Sequence, residues 1–192
     1  RQVDMAFKVK LFQDGVDYES LHVAKLTDFP LEKRDYKPYS QARICFASDG
    51  MHLQLLAFEA APLTESRMTA VFNLTPLYKT GCISTELYAN GRFSAKFFSN
   101  TGGSLIEGAT VHTFNGEDLQ GVYWGGNIFL PHRSLKILFP NLVVAKGQMF
   151  TGNLYKLCEH SARPHFGSYY PADFNLPLTD EKNFGEFVII DY

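Results

Sequence analysis

"GCISTELYANGRFSAKFFS" (residues 81–99) decides the fold class. Two runs rich in Ile, Tyr and Phe flank Asn90-Gly91, and Asn-Gly supplies the positive φ angles of a tight hairpin. The stretch therefore reads as two antiparallel strands, 81–89 and 92–99, joined by a two-residue loop. The same grammar continues upstream. "ASDG" (47–50) joins "QARICFAS" (41–48) to "MHLQLLAFEAA" (51–61). In "SRMTAVFNLT" (66–75), Met68, Ala70, Phe72 and Leu74 share one face, and Arg67, Thr69, Val71 and Asn73 the other. Further strands are read at "AFKVKLF" (6–12), "ATVHTFN" (109–115), "QGVYWGGNIFL" (120–130), "MFTGNLYKLC" (149–158) and "GEFVIIDY" (185–192). "PHRSLKILFP" (131–140) is the best helix candidate, with Pro131 ahead of its first turn and Pro140 ending it. The expectation is an all-β protein, a two-sheet antiparallel β-sandwich of jelly-roll type with one or two short helices, in a single domain over 1–192. A closed barrel is the alternative.

Composition narrows the function classes. With 45% hydrophobic and 15% aromatic residues, 192 residues can bury a large core. The 18 Lys and Arg against 20 Asp and Glu leave a net charge of −2 with no basic block, which argues against a nucleic-acid partner. No apolar run reaches the roughly 18 residues that cross a bilayer, so no membrane partner is expected. Met5 reads as an initiator with Arg1 to Asp4 as additions ahead of it. Three widely spaced cysteines, Cys45, Cys82 and Cys158, form no disulfide framework, and together these features point to an intracellular chain. The Asn73 sequon "NLT" falls within a strand.

Walker loops, dinucleotide fingerprints, HExxH, paired CxxC and GxSxG are all absent. Cys158, His160 and His165 in "CEHSARPHF" are the best metal candidates, lacking a fourth ligand, and Cys158 with a histidine is the best nucleophilic dyad. Glu59, Glu86 and Asp118 are the carboxylates available for glycoside hydrolysis. Met68 and His112 would be the axial pair of a haem, although Met68 fits a core face better.

"PHFGSYYPADFNLP" (164–177) holds four Phe and Tyr rings, a histidine and three prolines, and so reads as a loop. It either closes the end of the sandwich or forms a binding surface. Sugars pack their C–H faces on flat rings and offer hydroxyls to directed hydrogen bonds. Phe174, Tyr170 and Tyr169 are the candidate platforms, with His165 and Asn153 as polar partners. A second group, Glu86, Tyr88 and Arg92, gathers at "YANGR". Trp124, the sole tryptophan, is either core or a platform.

The ordered series "GVYWGGNIFLPHRSLKILFP", "GQMFTGNLYKLCE", "PHFGSYYPADFNLP" and "NFGEFVII" resembles the carbohydrate-binding module family 9-like domains, which share the DOMON-like β-sandwich. The matching positions are Gly152, Asn153, Tyr155 and Lys156, then Ser168, Tyr169 and Pro171, then Phe174 and Pro177, then Phe184 and Gly185. The resemblance covers about residues 121–192, with "SRMTAVFNLTP" and "ISTELYANGRF" similar by pattern. It implies a non-catalytic sugar-binding domain associated with glycoside hydrolases, with a structural calcium ion in some members and no other cofactor. It also implies a two-tryptophan clamp, whose late position carries Phe174 and whose early position carries Leu63. The family carboxylate falls near Thr69, and its next polar pair near Ser84 to Glu86. The competing reading is a structural or protein-interaction sandwich that has lost its sugar site, and the third is a glycoside hydrolase.

Overall fold

The computed structural model describes residues 5–31 and 37–191. In chain order the strands are β1 (Phe7–Leu11), β2 (Ala24–Lys25), β3 (Tyr39–Ala47), β4 (Gly50–Phe58), β5 (Arg67–Asn73), β6 (Cys82–Tyr88) and β7 (Phe93–Ser99). There follow β8 (Gly102–Leu105), β9 (Thr110–Asp118), β10 (Gly121–Pro131), the helix α1 (His132–Leu138), β11 (Met149–Cys158), β12 (His165–Ser168) and β13 (Gly185–Ile190). Hydrogen bonding runs through β8-β7-β6-β5-β11-β13-β1-β3-β4-β10-β9, with β12 on β11 and β2 on β3. One sheet thus curls on itself into a β-sandwich. Its strands are antiparallel except at β1, which is parallel to both β13 and β3.

The alternation read from the sequence becomes the core. Met68, Ala70 and Phe72 of β5 face Ile44 and Phe46 of β3, Leu53 and Leu55 of β4, and Phe187 of β13 across one buried cluster. At its centre Phe150 and Phe187 stack at 5.2 Å, and Phe72 meets both edge-on at 5.7 and 5.3 Å. Such pairs add about 0.5–1.5 kcal/mol each beyond area burial. Helix α1 starts after Pro131 and buries Leu135, and Phe139 at its end is also buried.

Both hairpins form where expected, with different turn chemistry. The β3–β4 loop is Ser48-Asp49, and Gly50 already pairs with Ala47 inside β4. At the second hairpin Tyr88 N–H donates to Arg92 O and Gly91 N–H to Tyr88 O, giving a three-residue loop with Gly91 alone at φ +90. Neither Asp49 nor Asn90 is left-handed; among the described residues the one non-glycine with positive φ is Ala61. The added residue lets an ordinary turn precede the left-handed glycine, so the asparagine needs no strained φ.

A third correction concerns the 164–177 segment. Its first part is not loop: His165–Ser168 forms β12, paired with Tyr155–Cys158. Pro164 lies just before this short strand, where its missing N–H interrupts no ladder. The remainder folds over the outer face of β5 and β11 and builds a second small core of Val71, Cys82, Tyr155 and Leu157 under Phe166, Phe174, Leu178 and Phe184. Both faces of β5 are therefore covered. Among the described residues no helix is long and apolar enough to cross a membrane.

Candidate functional site

Register assembles the outer face of β6, β5, β11 and β12. Tyr88 lies opposite Arg67, Arg67 opposite Leu157, and Leu157 opposite Phe166; the next row runs from Glu86 through Thr69 and Tyr155 to Ser168. At one end two rings, Phe166 and Phe174, stand 5.6 Å apart and half-buried, with Tyr155 meeting Phe174 at 6.0 Å. Two strands away, about 10 Å, lies a polar group. The Arg67 guanidinium is 3.7 Å from Glu86 and 3.0 Å from Glu159, and the Tyr88 hydroxyl donates to Glu86 at 3.3 Å. Arg92 stacks over the Tyr88 ring at 3.9 Å, and the Arg67 guanidinium approaches the same ring at 5.8 Å. Glu86 keeps about a third of its side chain, 32%, exposed. A depression of about 280 Å³ adjoins the face at Cys82 and Phe98.

Glu86, Tyr88 and Arg92 are thus brought together as read from the sequence. Arg67 was missed, because alternation puts it on a face while only the β5–β6 register sets it opposite Tyr88. Phe174 lies on this face with Phe166.

The other candidates are used by the fold. Asn153 is fully buried; its amide donates to Tyr170 O and Asn183 O and accepts from Tyr170 N–H and Leu154 N–H, all at 2.8–2.9 Å. It ties the aromatic segment to β11 and has no capacity left for a ligand. Tyr170 turns the other way, onto Tyr169 and Phe187, with its hydroxyl donating to Glu186 O and accepting from Phe7 N–H. Tyr169 packs edge-on to Phe7 at 5.4 Å. Both tyrosines belong to the main core's margin rather than to the outer face.

His165 and Trp124 enter a buried polar cluster. Lys156, fully buried, places Nζ 3.3 Å from Glu59 Oε1, 2.6 Å from Ser66 Oγ and 2.6 Å from His165 Nε2. Glu59 Oε1 also accepts from Ser66 Oγ at 2.6 Å and Trp124 Nε1 at 3.1 Å. His165 Nδ1 lies 3.0 Å from Arg163 O, a pure acceptor, so Nδ1 carries the proton and Nε2 accepts from the lysine. Burial pushes Lys156 down and Glu59 pulls it partly back, leaving it at about 8. Burial pushes Glu59 up, yet the Lys156 charge and the Ser66 and Trp124 hydrogen bonds bring it below the ordinary carboxylate value. Pairing prevails for the glutamate because three donors converge on it. Desolvation prevails for the lysine, which has one anion.

The other chemical candidates of the sequence reading are dispersed through the fold. Cys158 and His165 are cross-strand neighbours but buried, while His160 is exposed, and among the described residues no three His, Cys, Asp or Glu side chains gather to hold a metal. Glu59 is in the core, Glu86 on one outer face and Asp118 at the end of β9, so these carboxylates do not form a facing pair. Met68 is core and His112 exposed.

No sequence-family model matches the chain, and no curated protein matches it by sequence. Solved structures do match. A candidate carbohydrate-binding protein from Bacteroides uniformis superposes with a TM-score of 0.72 at 16% identity, covering 96% of this chain and 99% of the other. A family 9 carbohydrate-binding module from Caldicellulosiruptor kristjanssonii, in complex with cellotriose, gives 0.67 at 8% identity over 97% and 94% of the two chains. The same organism's module with glucose gives 0.66 at 8% identity over 96% of each. The fold is that of the family 9 carbohydrate-binding modules.

Within the family 9 fold the clamp positions can be inspected. Phe174 supplies a ring on the outer face. Leu63, half-buried, lies in the turn closed by Ser66 N–H on Leu63 O at 3.0 Å and offers no ring. Thr69 is buried, its hydroxyl without a hydrogen-bond partner among the described residues, and cannot replace a carboxylate in reaching a ligand. Glu86, the register partner of Thr69 on β6, is the carboxylate of that row.

Proposed function

We propose that this chain is a non-catalytic carbohydrate-binding domain whose site is the outer face of β5, β6, β11 and β12. The observation that carries the reading is the pairing, on that face, of two half-exposed rings with a hydrogen-bonding trio. Phe174 and Phe166 receive the C–H face of a pyranose. Arg67 and Arg92 donate to hydroxyls and Glu86 accepts from them, with Tyr88 holding the carboxylate in place. The shared fold with modules solved with cellotriose and glucose supports the ligand class. With a ring on one side only, the face stacks a sugar rather than clamping it, so millimolar to high-micromolar affinity is expected, about −4 to −6 kcal/mol. A partnership with glycoside hydrolases belongs to the same proposal, since such a domain would hold an enzyme near its polymer.

The test is calorimetric titration with glucose, cellotriose and xylotriose, because Trp124 is buried and its fluorescence is a poor reporter. Phe174→Ala and Glu86→Gln should each weaken binding about tenfold or more without lowering the melting temperature by more than a few degrees. Binding that is unchanged in both variants would move the site elsewhere. Absence of binding in the wild type would favour the protein-interaction reading.

A further inference from the structure

We propose a second, separate sugar-binding surface on the opposite layer, the outer face of β3, β4, β10 and β9, suited to a neutral oligosaccharide. The register sets three rows across this face. Tyr39, Phe58 and Tyr123 form an aromatic row; Gln41, Leu56, Gly125 and Phe114 the next; and Arg43, Gln54, Asn127 and His112 a polar one. A depression of about 320 Å³ lies among them, lined by Leu56, Phe58, Phe114 and Tyr123 on one side and Arg43, Gln54 and Asn127 on the other, with Glu19 and Asp118 also lining it.

A plain solvated sheet face would not look like this. Phe58, Phe114 and Tyr123 point outward yet are half-buried. Tyr123 is laid across onto β9, where a Cβ on its partner Gly116 would come within 2.6 Å of the phenol oxygen. Phe114 leans back onto β10 in the same way, with its ring 2.9 Å from where a Cβ on Gly125 would be. Two glycines thus let two rings lie against the sheet, giving a broad apolar wall in which Tyr123 is 5.7 Å from Phe58 and 6.3 Å from Phe114.

The polar row is ordered in one direction. Arg43 Nη1 donates to Gln54 Oε1 at 3.1 Å, and Gln54 Nε2 donates to Asn127 Oδ1 at 3.2 Å. The chain of donations ends on Asn127, whose Oδ1 accepts from Gln54 and whose own amide N–H groups donate to no partner among the described residues. Donors therefore sit beside a ring wall, and the Glu19 and Asp118 carboxylates supply acceptors. That is the complement of a sugar, with an apolar ring face and hydroxyls that both donate and accept. One guanidinium against two carboxylates leaves no positive surplus for a phosphate, sulfate or uronate. Charged and amide groups running through the middle also argue against a protein partner, whose interface centre is depleted of charge.

The test is a ¹⁵N NMR titration of the protein with cellohexaose, xylohexaose and mannohexaose, repeated on Phe174→Ala, Tyr123→Ala and Asn127→Ala. At least one hexasaccharide should move the side-chain amide signals of Gln54 and Asn127 and the backbone signals of Gly116 and Gly125, saturably and equally in Phe174→Ala. Tyr123→Ala and Asn127→Ala should weaken those shifts tenfold or more while each retains the wild-type spread of amide signals. The proposal is overturned if none of the three sugars moves these signals, if their movement disappears in Phe174→Ala, or if they move with protein concentration alone. A wild-type protein in which the Tyr123-dependent signals move while no signal around Phe174 and Glu86 does would reject the site proposed above and leave this surface standing.

Discussion

Replacing Glu59 by Gln isolates the charge at the centre of the buried cluster. The amide keeps the shape and an acceptor for Trp124, but leaves the Lys156 ammonium, which has no exposed surface, with the neutral partners Ser66 and His165. Breaking a buried pair in this way costs about 3–5 kcal/mol, against a total stability of about 5–15 kcal/mol for a typical domain. The pH dependence follows from the two shifts. Glu59 lies below its ordinary value, so its contribution is present at neutral pH and is lost as pH falls through that lowered value. Lys156 lies at about 8 against an ordinary 10.5, so the unfolded chain holds the extra proton between those values and stability rises with pH across them. Without the carboxylate Lys156 falls further and discharges earlier. The deficit of Glu59→Gln should therefore be largest between the carboxylate range and neutrality and shrink as pH approaches 8. Urea unfolding from pH 5 to 9 measures it, with Glu59→Gln/Lys156→Met as the control that removes both charges and should recover most of the loss. A deficit under about 1 kcal/mol, one that is flat with pH, or a double variant no better than the single would refute the argument.

Three further outcomes test the supports of the site. Asn153→Ala takes the side-chain partner from two backbone N–H groups and from the Asn183 carbonyl, while Tyr170 O keeps the Ser168 hydroxyl, so a loss of about 3 kcal/mol is expected, with cleavage in limited proteolysis appearing first within 169–184. Tyr170→Phe leaves the buried Phe7 N–H and Glu186 carbonyl without this partner and should cost about 1–3 kcal/mol in urea unfolding. Burial pushes Cys45 up to about 12 and Cys82 up to about 11, so neither should react with iodoacetamide at pH 8 until the chain is unfolded, as mass spectrometry of labelled peptides would show.

Most strands were legible because their signals are local. Period-two alternation and a Gly at each turn act over a few residues, and all ten strands read from the sequence are present, although β9 runs three residues past the predicted end at 115. The missed strands, β2, β8 and β12, have two to four residues and no alternation of their own; each exists because a longer neighbour offers it a hydrogen-bonding edge. The parallel β1 pairing was likewise invisible, since nothing in "FKVKL" distinguishes a parallel from an antiparallel neighbour.

The site divides along the same line. Sequence by itself determined that rings and polar side chains were concentrated in 164–177 and around 86–92, because composition and strand alternation are properties of the chain. Tertiary structure decided which way each ring faces. Phe174 turns outward and Tyr170 inward because Asn153, seventeen residues from Tyr170, holds the Tyr170 backbone by two hydrogen bonds. Lys156 of β11 and Glu59, just after β4, meet only when the two layers close, and that closure takes His165 and Trp124 out of reach of any ligand. Long-range register, set by the packing of one layer on the other, is the information that no local pattern contains.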